Sequence, residues 1–262
     1  MKTEIAALLC CSLATAAAQT QMKLEGAHPP PGYTLEWVDD FNGTELDRAK
    51  WMYRTDVKAE SSERPENVSV SDGHLVIQMK KEQHRGKNYT GGGVISKRQF
   101  RYGYFEARVR MFGGSGWHQS VWAMAASDGS TTYPEFMRTE IDGMEFDSAT
   151  SLKGHMGMIV WQGPKESRSE TCSGVYQTAL GFDATADFHT YGFEWTEKGV
   201  AYYLDGERRC VLEYPTTAGE HDPVNFWLTA LGYEKRGKID ESKLPGQMLV
   251  DFAAFYSKGA SK

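Results

Sequence analysis

The chain has 262 residues, of which 40% are hydrophobic, 24% charged and 12% aromatic, and its 29 Lys and Arg residues against 35 Asp and Glu residues give a formal net charge of −6. This composition excludes an intrinsically disordered chain, a collagen-like repeat and a polytopic membrane protein. The acidic balance argues against a general nucleic-acid binder, because such a protein needs a basic surface.

The first predicted element is a secretory signal peptide over residues 1–18. A positive start and an apolar run from Ile5 to Leu13 are followed there by a stretch of small residues. The apolar run is too short to cross a bilayer, so no membrane span is expected. A buried N-terminal helix is the alternative. We therefore expect a secreted chain in which a proline-rich leader, residues 19–32, precedes a single domain, residues 33–258.

The mature chain has the pattern of β-structure. Asp72-Gly73 separates two short alternating stretches, and Asp205-Gly206 does the same further on. Asp-Gly suits the tight hairpin turns that need positive φ. Residues 105–111 alternate apolar and charged side chains, as a strand with one dry and one wet face does. Such segments recur along the chain with almost no helical periodicity, and they predict an all-β sandwich.

Two cysteines, Cys172 and Cys210, remain once the signal peptide is removed. In an oxidising compartment they can form one disulfide, and two separate buried thiols are the alternative. No residue spacing is typical of a metal site, so the sequence assigns no metal.

Three acids in one short segment carry the chemistry that the sequence predicts. In a regular strand Glu140 and Asp142 face one way, and Met144 would follow them. One extra residue at Gly143, absorbed as a β-bulge, returns Glu145 to the same face. Like charges this close repel and raise the pKa of at least one of the acids, which costs stability. A cluster with this cost is expected to have a function. A solvated acidic strand edge is the alternative.

The spacing of the two outer acids suits one class of glycosidase. Across the bulge, Glu140 and Glu145 lie about 13 Å apart between Cα atoms. Side chains that lean inward then leave about 5–6 Å between the carboxylates, which is the separation in retaining enzymes, whereas inverting enzymes need roughly 6.5–9.5 Å. The acid cluster therefore predicts retention at the anomeric carbon.

The acid segment resembles that of the family 16 glycoside hydrolases, the laminarinase, agarase and carrageenase relatives. Their active-site strand carries Glu-x-Asp-x-Glu or the bulged Glu-x-Asp-x-x-Glu, and the bulged form stands here. The resemblance covers nearly all of residues 33–256 in the family's order. The other matching segments are Phe41–Asp47, Glu66–Leu75, Tyr102–Arg108, Phe188–Trp195, Leu204–Gly206 and Met248–Phe252.

The resemblance implies a two-sheet β-jelly roll of the concanavalin A type, with a sugar cleft along its concave sheet. Carried over by position, it implies that Glu140 is the nucleophile, Glu145 the general acid and base, and Asp142 the helper between them. Crowding suits these roles, because one carboxylate must stay ionised while the other is protonated. The chain departs from the common family pattern at Asp147 and in the segment 117–122, which leaves the substrate open.

Five side chains near the acids are expected to contact the sugar. Trp117 and Trp122 offer aromatic faces on which sugar rings can stack, and core packing is the alternative. His118 is expected to hydrogen-bond a sugar hydroxyl, although a plain surface histidine is the alternative. His155 lies one strand beyond the acids, where relatives often carry a histidine, and Trp161 ends that strand.

The sequence leaves the polysaccharide open. β-1,3-glucan and mixed β-glucan are the broad substrates of the family, whereas the bulged motif is shared with members that cleave β-linked galactans of agar, porphyran or carrageenan type. Arg138, Lys165 and Arg168 lie in loops near the acids and are candidates for binding sulfate on such a galactan. Ordinary solvated loop charges are the alternative.

The expected function is that of a secreted, monomeric, retaining endo-glycosidase that hydrolyses internal bonds of a β-linked polysaccharide. One alternative is a non-catalytic carbohydrate-binding jelly roll, although such proteins lose one of the acids and this chain keeps all three. Another is a transglycosylase, in which a sugar intercepts the covalent intermediate. No cofactor is expected. Many relatives bind a structural calcium ion on the convex side, and Asp251 is a candidate ligand for it.

Overall fold

The computed structural model describes residues 24–125, 138–148, 150–161, 167–172, 178–214 and 221–259. The predicted signal peptide, residues 1–18, lies outside the described residues. Within the described ranges, no helix has the length and apolar character needed to cross a membrane.

The described chain is built almost entirely of strands, with three single-turn 3-10 helices at Pro65–Asn67, Glu234–Arg236 and Glu241–Lys243. The strands are β1 (Tyr33–Asp39), β2 (Trp51–Tyr53), β3 (Val57–Lys58), β4 (Ser61–Glu63), β5 (Val68–Ser71), β6 (His74–His84), β7 (Lys87–Phe100), β8 (Gly103–Arg110), β9 (Trp117–Met124), β10 (Arg138–Asp147), β11 (Lys153–Trp161), β12 (Ser167–Thr171), β13 (Thr178–Ala179), β14 (His189–Thr196), β15 (Gly199–Leu204), β16 (Glu207–Glu213), β17 (Val224–Gly232) and β18 (Gly246–Lys258).

One layer, called the back sheet here, has the strand order β5-β6-β18-β8-β14-β15-β16. β1 pairs with the second half of β18, beyond the stretch that β6 occupies. All of these pairings are antiparallel, the arrangement in which one sheet face can pack on a core while the other meets water.

The other layer, called the cleft sheet here, has the order β7-β17-β9-β10-β11-β12. β2 and β4 pair with β7, and only β4 does so in parallel. The short strands β3 and β13 pair with β4 and β11. β10, which carries the acids, therefore lies inside the sheet with a neighbour on each edge, so its backbone is held firmly.

The hydrophobic core lies between the two sheets. Phe105 and Phe193 of the back sheet stack with their ring centroids 4.7 Å apart, and Phe105 meets Phe226 of the cleft sheet at 5.4 Å. All three side chains are fully buried. Burying each such ring contributes about 1.5–3 kcal/mol relative to leaving it in water. The predicted all-β, two-sheet jelly roll is confirmed.

Both predicted Asp-Gly hairpin turns are present. Asp72 and Gly73 have φ values of 52° and 73°, and Asp205 and Gly206 have 49° and 79°. These turns connect β5 to β6 and β15 to β16. Positive φ at both central residues is what a two-residue turn needs to match the twist of the flanking strands.

The described part of the leader, residues 24–32, packs on the back sheet. Leu24 is buried in a small apolar cluster there. The backbone N–H of His28 donates a hydrogen bond of 2.8 Å to the Glu106 carboxylate. Because these contacts hold the segment, the folded part of the chain begins before residue 33.

Cys172 and Cys210 form a disulfide, with their Cα atoms 5.6 Å apart. Cys172 follows β12 at one edge of the cleft sheet, and Cys210 lies in β16 at the edge of the back sheet. Of the two alternatives that the sequence left open, the disulfide is therefore the one observed. It connects the two layers at one edge of the sandwich.

Candidate active site

The predicted bulge is present in β10. In the pairing of β10 with both neighbouring strands, the register shifts by one residue between Asp142 and Glu145. Ile141 and Met144 are fully buried in the core. Glu140, Asp142 and Glu145 consequently face the opposite way, into the cleft, as the sequence predicted.

Close packing behind the strand explains why the bulge contains a glycine. A Cβ on Gly143 would lie 2.5 Å from the ring of Phe193 and 3.0 Å from the carbonyl oxygen of Val121. Phe193 is fully buried and a backbone carbonyl in a sheet cannot shift, so neither neighbour can give way. Any side chain at position 143 would push the acid-bearing strand out of place.

The acids occupy environments that favour retention of a proton. Burial raises the pKa of Asp142 well above its usual range, and the charges of Glu145 and Glu140 raise it further. Burial and the charge of Glu145 also raise the pKa of Glu140, against the lowering effect of Lys58 and Arg138. The row therefore keeps a proton at pH values where separate exposed carboxyls would be ionised.

His118 lies between two carboxylates of β10. Its Nε2 is 3.1 Å from Glu145 Oε1, and its Nδ1 is 2.5 Å from Asp147 Oδ1. Burial alone would lower the pKa of His118, but the hydrogen bonds to Asp147 and Glu145 outweigh burial and raise the pKa to about 9. The prediction placed His118 at the site to bind a sugar hydroxyl. Both of its nitrogens are instead directed at protein carboxylates.

His155 lies beside the acids from the neighbouring strand β11. Its Nε2 is 3.9 Å from Asp142 Oδ2 and 3.6 Å from Glu145 Oε2. A Cβ on Gly157 would come within 2.8 Å of this nitrogen, so the glycine leaves the room that the imidazole fills. His155 is only 6% exposed, so it lies buried beside the acid row.

Trp122 lies on the cleft face of β9. Its ring packs against Trp227 with centroids 4.6 Å apart, and its Nε1 donates a hydrogen bond of 3.1 Å to the Thr229 hydroxyl. Together with Glu140 and Glu145 it lines a pocket of about 190 Å³. A partly exposed indole held this firmly is suited to stack on a sugar ring next to the acids.

Trp117 does not line the cleft, contrary to the prediction. Its side chain is 1% exposed, belongs to the core between the sheets and meets the ring of Tyr89 edge-on. β9 pairs with β17 without a register shift, so residues 117 and 122, an odd number apart, face opposite sides of the strand. A polysaccharide cannot reach Trp117.

Trp161 lies opposite Arg138, at the end of the acid row where Glu140 stands. The Arg138 guanidinium is 4.8 Å from the centre of the indole ring. Lys165 and the side chain of Arg168, the other candidates for sulfate binding, lie outside the described residues. The ring of Trp161 therefore packs against the Arg138 guanidinium. Of the three charged candidates, Arg138 is the one whose side chain is described.

Four cleft side chains were missed by the sequence analysis. Arg54, Lys58 and Tyr233 line the same pocket as Glu140, and Arg236 lies 2.8 Å from Asp147. These residues belong to segments far from β10 in the sequence, and no local motif marks them. The only available signal was that three clustered acids call for a nearby cation. That signal does not identify which of the 29 Lys and Arg residues supplies the charge.

The residues around Asp251 do not fit a calcium site. The Asp251 carboxylate pairs with Arg108, with Nη1 and Oδ2 2.8 Å apart, so a calcium ion would have to displace a guanidinium. Among the described residues, Asp142, Glu145 and His155 offer possible ligand atoms within 4.8 Å of one another. These are the cleft acids and their neighbour, and we assign no metal to them.

Residues 35–231 match the family model described as Beta-porphyranase A-D, GH16 domain. The chain belongs to glycoside hydrolase family 16. This match confirms the family that the acid segment indicated, and it identifies the chain as a glycoside hydrolase.

Relatives of this family 16 chain carry several substrate names. It is 28% identical over 198 residues to a beta-glucanase of Acetivibrio thermocellus, covering 75% of the chain and 54% of that relative. It is 29% identical over 272 residues to a kappa-carrageenase of Pseudoalteromonas carrageenovora, covering 87% and 66%. The chain therefore spans about half the length of the first relative and about two thirds of the second.

Solved structures show the same fold. The catalytic domain of an endo-1,3-beta-glucanase (laminarinase) from Thermotoga petrophila RKU-1 matches with a TM-score of 0.73 at 24% identity, covering 87% of this chain and 98% of that one. This likeness concerns the fold, and the cleft of the present chain has to be interpreted from its own side chains.

Proposed function

We propose that this chain is an endo-acting hydrolase of a β-linked galactan that carries sulfate, of the porphyran type, and that it acts with retention at the anomeric carbon. The family model that it matches is described by the name beta-porphyranase, and one relative is named kappa-carrageenase. Both names refer to galactan-cleaving enzymes.

The acid row supports a double displacement. Glu140, as the nucleophile, attacks the anomeric carbon and forms a glycosyl ester while Glu145 protonates the departing oxygen. Water then attacks the ester, loses its proton to Glu145 and releases Glu140. Lys58 and Arg138 oppose the rise in the pKa of Glu140, which helps the nucleophile to stay ionised. Burial and the neighbouring acids raise the pKa of Asp142, and in its protonated form it can donate a hydrogen bond within the row.

The observation that supports the choice of substrate is the presence of two cations next to the proposed nucleophile. Lys58 and Arg138, from two different strands, both act electrostatically on Glu140. Sulfate esters bind such groups through charge-assisted hydrogen bonds. A neutral glucan has no anionic group that could pair with these side chains, so their position next to the acids supports an anionic sugar.

A second candidate is a neutral β-glucan. Two observations favour it: the Trp122–Trp227 pair offers a stacking surface that needs no charge on the sugar, and the Acetivibrio thermocellus relative bears the name beta-glucanase. The two candidates differ in whether sulfate on the substrate helps.

We also propose that the protein acts outside the cytoplasm as a monomer. The predicted signal peptide, residues 1–18, supports export, and the Cys172–Cys210 disulfide fits an oxidising compartment.

The test is a panel of porphyran, chemically desulfated porphyran, agarose, kappa-carrageenan, laminarin and mixed-linkage β-glucan, with the products sized over time. We expect porphyran to be cut into mixed oligosaccharides and kcat/KM to fall by about tenfold or more on the desulfated chain, the scale of one lost charged hydrogen bond. Cleavage of laminarin with porphyran left intact would favour the second candidate. Binding without cleavage of any chain would favour the non-catalytic alternative.

A matched pair of lysine variants tests the role of charge. Lys58→Gln should weaken hydrolysis of porphyran far more than hydrolysis of its desulfated form, because only porphyran carries a sulfate that Lys58 can bind. Lys258→Gln, at the end of β18 on the back sheet, should change neither. Equal effects of Lys58→Gln on both substrates would contradict sulfate recognition by this residue.

A further inference from the structure

A connected row of side chains begins at the acid Glu145 and continues through His118 and Asp147 to Arg236. Glu145 Oε1 lies 3.1 Å from His118 Nε2, and His118 Nδ1 lies 2.5 Å from Asp147 Oδ1. Arg236 Nε lies 2.8 Å from Asp147 Oδ2 as an ion pair. The Asp147 side chain is 3% exposed and that of His118 is 14% exposed, so this row is largely shielded from water.

The far end of the row determines which ring nitrogen of His118 can exchange a proton. Asp147, paired with the Arg236 guanidinium, accepts a hydrogen bond from Nδ1–H. A carboxylate in this position stabilises the proton on Nδ1 in both charge states of the ring. Only Nε2, the nitrogen that faces Glu145, is then free to gain or lose a proton.

This inference rests on the proposed function, in which Glu145 is the general acid and base. We propose that His118 is a positioning residue that shares one proton with Glu145, between Nε2 and Oε1, and that Glu145 passes this proton to the departing glycosidic oxygen. Asp147 and Arg236 hold the ring in the tautomer that makes this sharing possible.

The protons balance through both steps. Before reaction the pair holds one shared proton, as imidazolium with carboxylate or as neutral imidazole with carboxylic acid. In the first displacement Glu140 bonds to the anomeric carbon as the glycosidic C–O bond breaks, and the leaving oxygen takes the shared proton, which leaves neutral His118 and ionised Glu145. In the second, the water oxygen bonds to the anomeric carbon as the ester bond to Glu140 breaks, and the water loses a proton to the pair. The starting state is thereby restored.

Other charged groups act on the same pair and belong in any account of its titration. Glu140 and Asp142 face it from the same strand, and His155 Nε2 lies 3.6 Å from Glu145 Oε2. Lys58 lines the same pocket, and the Tyr233 ring centre is 5.4 Å from that of His118. The pair therefore loses its proton in a coupled step that belongs to the whole cluster.

The pairing has a consequence for the pH profile of the reaction. A proton shared with an imidazole flanked by two carboxylates is lost at a higher pH than the proton of a carboxylic acid without that partner. The basic limb of the activity profile should therefore extend into the alkaline range in the wild type. It should move to lower pH when the imidazole is removed.

The central variant is His118→Gln, compared with His189→Gln as the matched control. His189 forms a similar His–Asp contact, 2.8 Å between Nδ1 and Asp205 Oδ2, but it lies on the back sheet. For His118→Gln we expect the basic limb of kcat/KM to move down by about one pH unit or more, with the rate at the acidic optimum kept within about threefold. His189→Gln should leave the profile unchanged.

A milder variant covers the case in which His118→Gln does not fold. Asp147→Asn keeps a carbonyl oxygen that can accept from Nδ1–H but removes the negative charge. It should move the basic limb in the same direction by a smaller amount. Rates that fall by one factor at all pH values, or a basic limb that superposes on that of the wild type, would overturn the inference.

NMR titration of the His118 ring separates this inference from the proposed function. We expect the His118 pKa to fall in Glu145→Gln relative to the wild type, whether or not a substrate has been found. An unchanged titration would overturn the pairing even in an active enzyme. An inactive wild type with the expected titration would count against the proposed function and leave the pairing supported.

Discussion

At the scale of single residues, one strand gives its acids different surroundings. Asp142 is 4% exposed, with Glu140 and Glu145 on either side, so burial and like charges both raise its pKa. Glu140 also receives the opposing influence of Lys58 and Arg138. The pKa of both carboxyls is raised, and two cations oppose the rise at Glu140 whereas only Lys58 opposes it at Asp142, which favours ionisation at the nucleophile.

Replacement of the proposed nucleophile gives the first prediction. Glu140→Gln should reduce turnover by about a thousandfold or more, because a carboxamide cannot form the glycosyl ester, and the melting temperature should stay close to that of the wild type. Azide should partly rescue Glu140→Ala and give a product of inverted configuration. Hydrolysis by Glu140→Gln within about tenfold of the wild type would remove Glu140 from this role.

A second buried acid, Glu106 on the back sheet, links pH to stability. It accepts hydrogen bonds from the Tyr104 hydroxyl and from the His28 backbone N–H, but burial dominates and raises its pKa to about 7. Between the unfolded value of about 4.3 and this folded value, the folded chain binds more protons than the unfolded chain. Its contribution to stability is therefore complete at low pH and is lost as the pH rises through this window.

This gives the second prediction. The free energy of unfolding of the wild type should fall between about pH 4.5 and about pH 7, and Glu106→Gln, which has no carboxyl to ionise, should show a smaller fall. Urea unfolding of both proteins at the two pH values measures the difference. Equal falls would mean that Glu106 ionises as easily in the folded state as in the unfolded chain.

At the scale of elements, the bulge in β10 determines where the general acid points. The extra residue between Asp142 and Glu145 keeps both on the cleft face, while Met144 turns into the core. The alternation of side chains along a strand, broken once, was enough to predict this arrangement from sequence. The same alternation should have excluded Trp117 from the cleft, since it lies an odd number of residues from Trp122.

The third prediction concerns the glycine in the bulge. Gly143→Ala should lower the free energy of unfolding by about 1–3 kcal/mol, the cost of overpacking a tight core, and should reduce activity because Glu145 moves. Gly43→Ala is the control, since a Cβ there would meet nothing closer than 3.5 Å. Thermal unfolding and hydrolysis rates of both variants test the point, and wild-type behaviour of Gly143→Ala would contradict the packing argument.

The fourth prediction concerns the disulfide that joins β16 to the end of β12. Cys172 and Cys210 are 38 residues apart in sequence, and closing a loop of that length removes about 4 kcal/mol of chain entropy from the unfolded state at room temperature. The double variant Cys172→Ala, Cys210→Ala should lose roughly 2–4 kcal/mol. Denaturant unfolding under non-reducing conditions measures this, and an unchanged midpoint would show that the bond adds no stability.

At the scale of the whole molecule, local sequence patterns were enough to predict the fold and the acid row. The side chains that form the walls of the cleft belong to segments remote in sequence, and local patterns did not predict them. Strand alternation, the two Asp-Gly turns and the bulged acids are features of neighbouring residues, and all are present as predicted. Lys58 and Tyr233 line the same pocket as Glu140 and Arg236 lies beside Asp147, although β3 pairs only with β4 among the described strands. No short-range pattern encodes that proximity.

The measurement that tests the central claim most directly is proton NMR of the anomeric signals during the first minutes of porphyran hydrolysis. It requires both that the chain cleaves this galactan and that Glu140 and Glu145 act by double displacement. We predict that the β-anomer of the new reducing end appears first and that the α-anomer follows only by mutarotation. An α-anomer that appears first would contradict retention, and no new anomeric signal would contradict the proposed substrate.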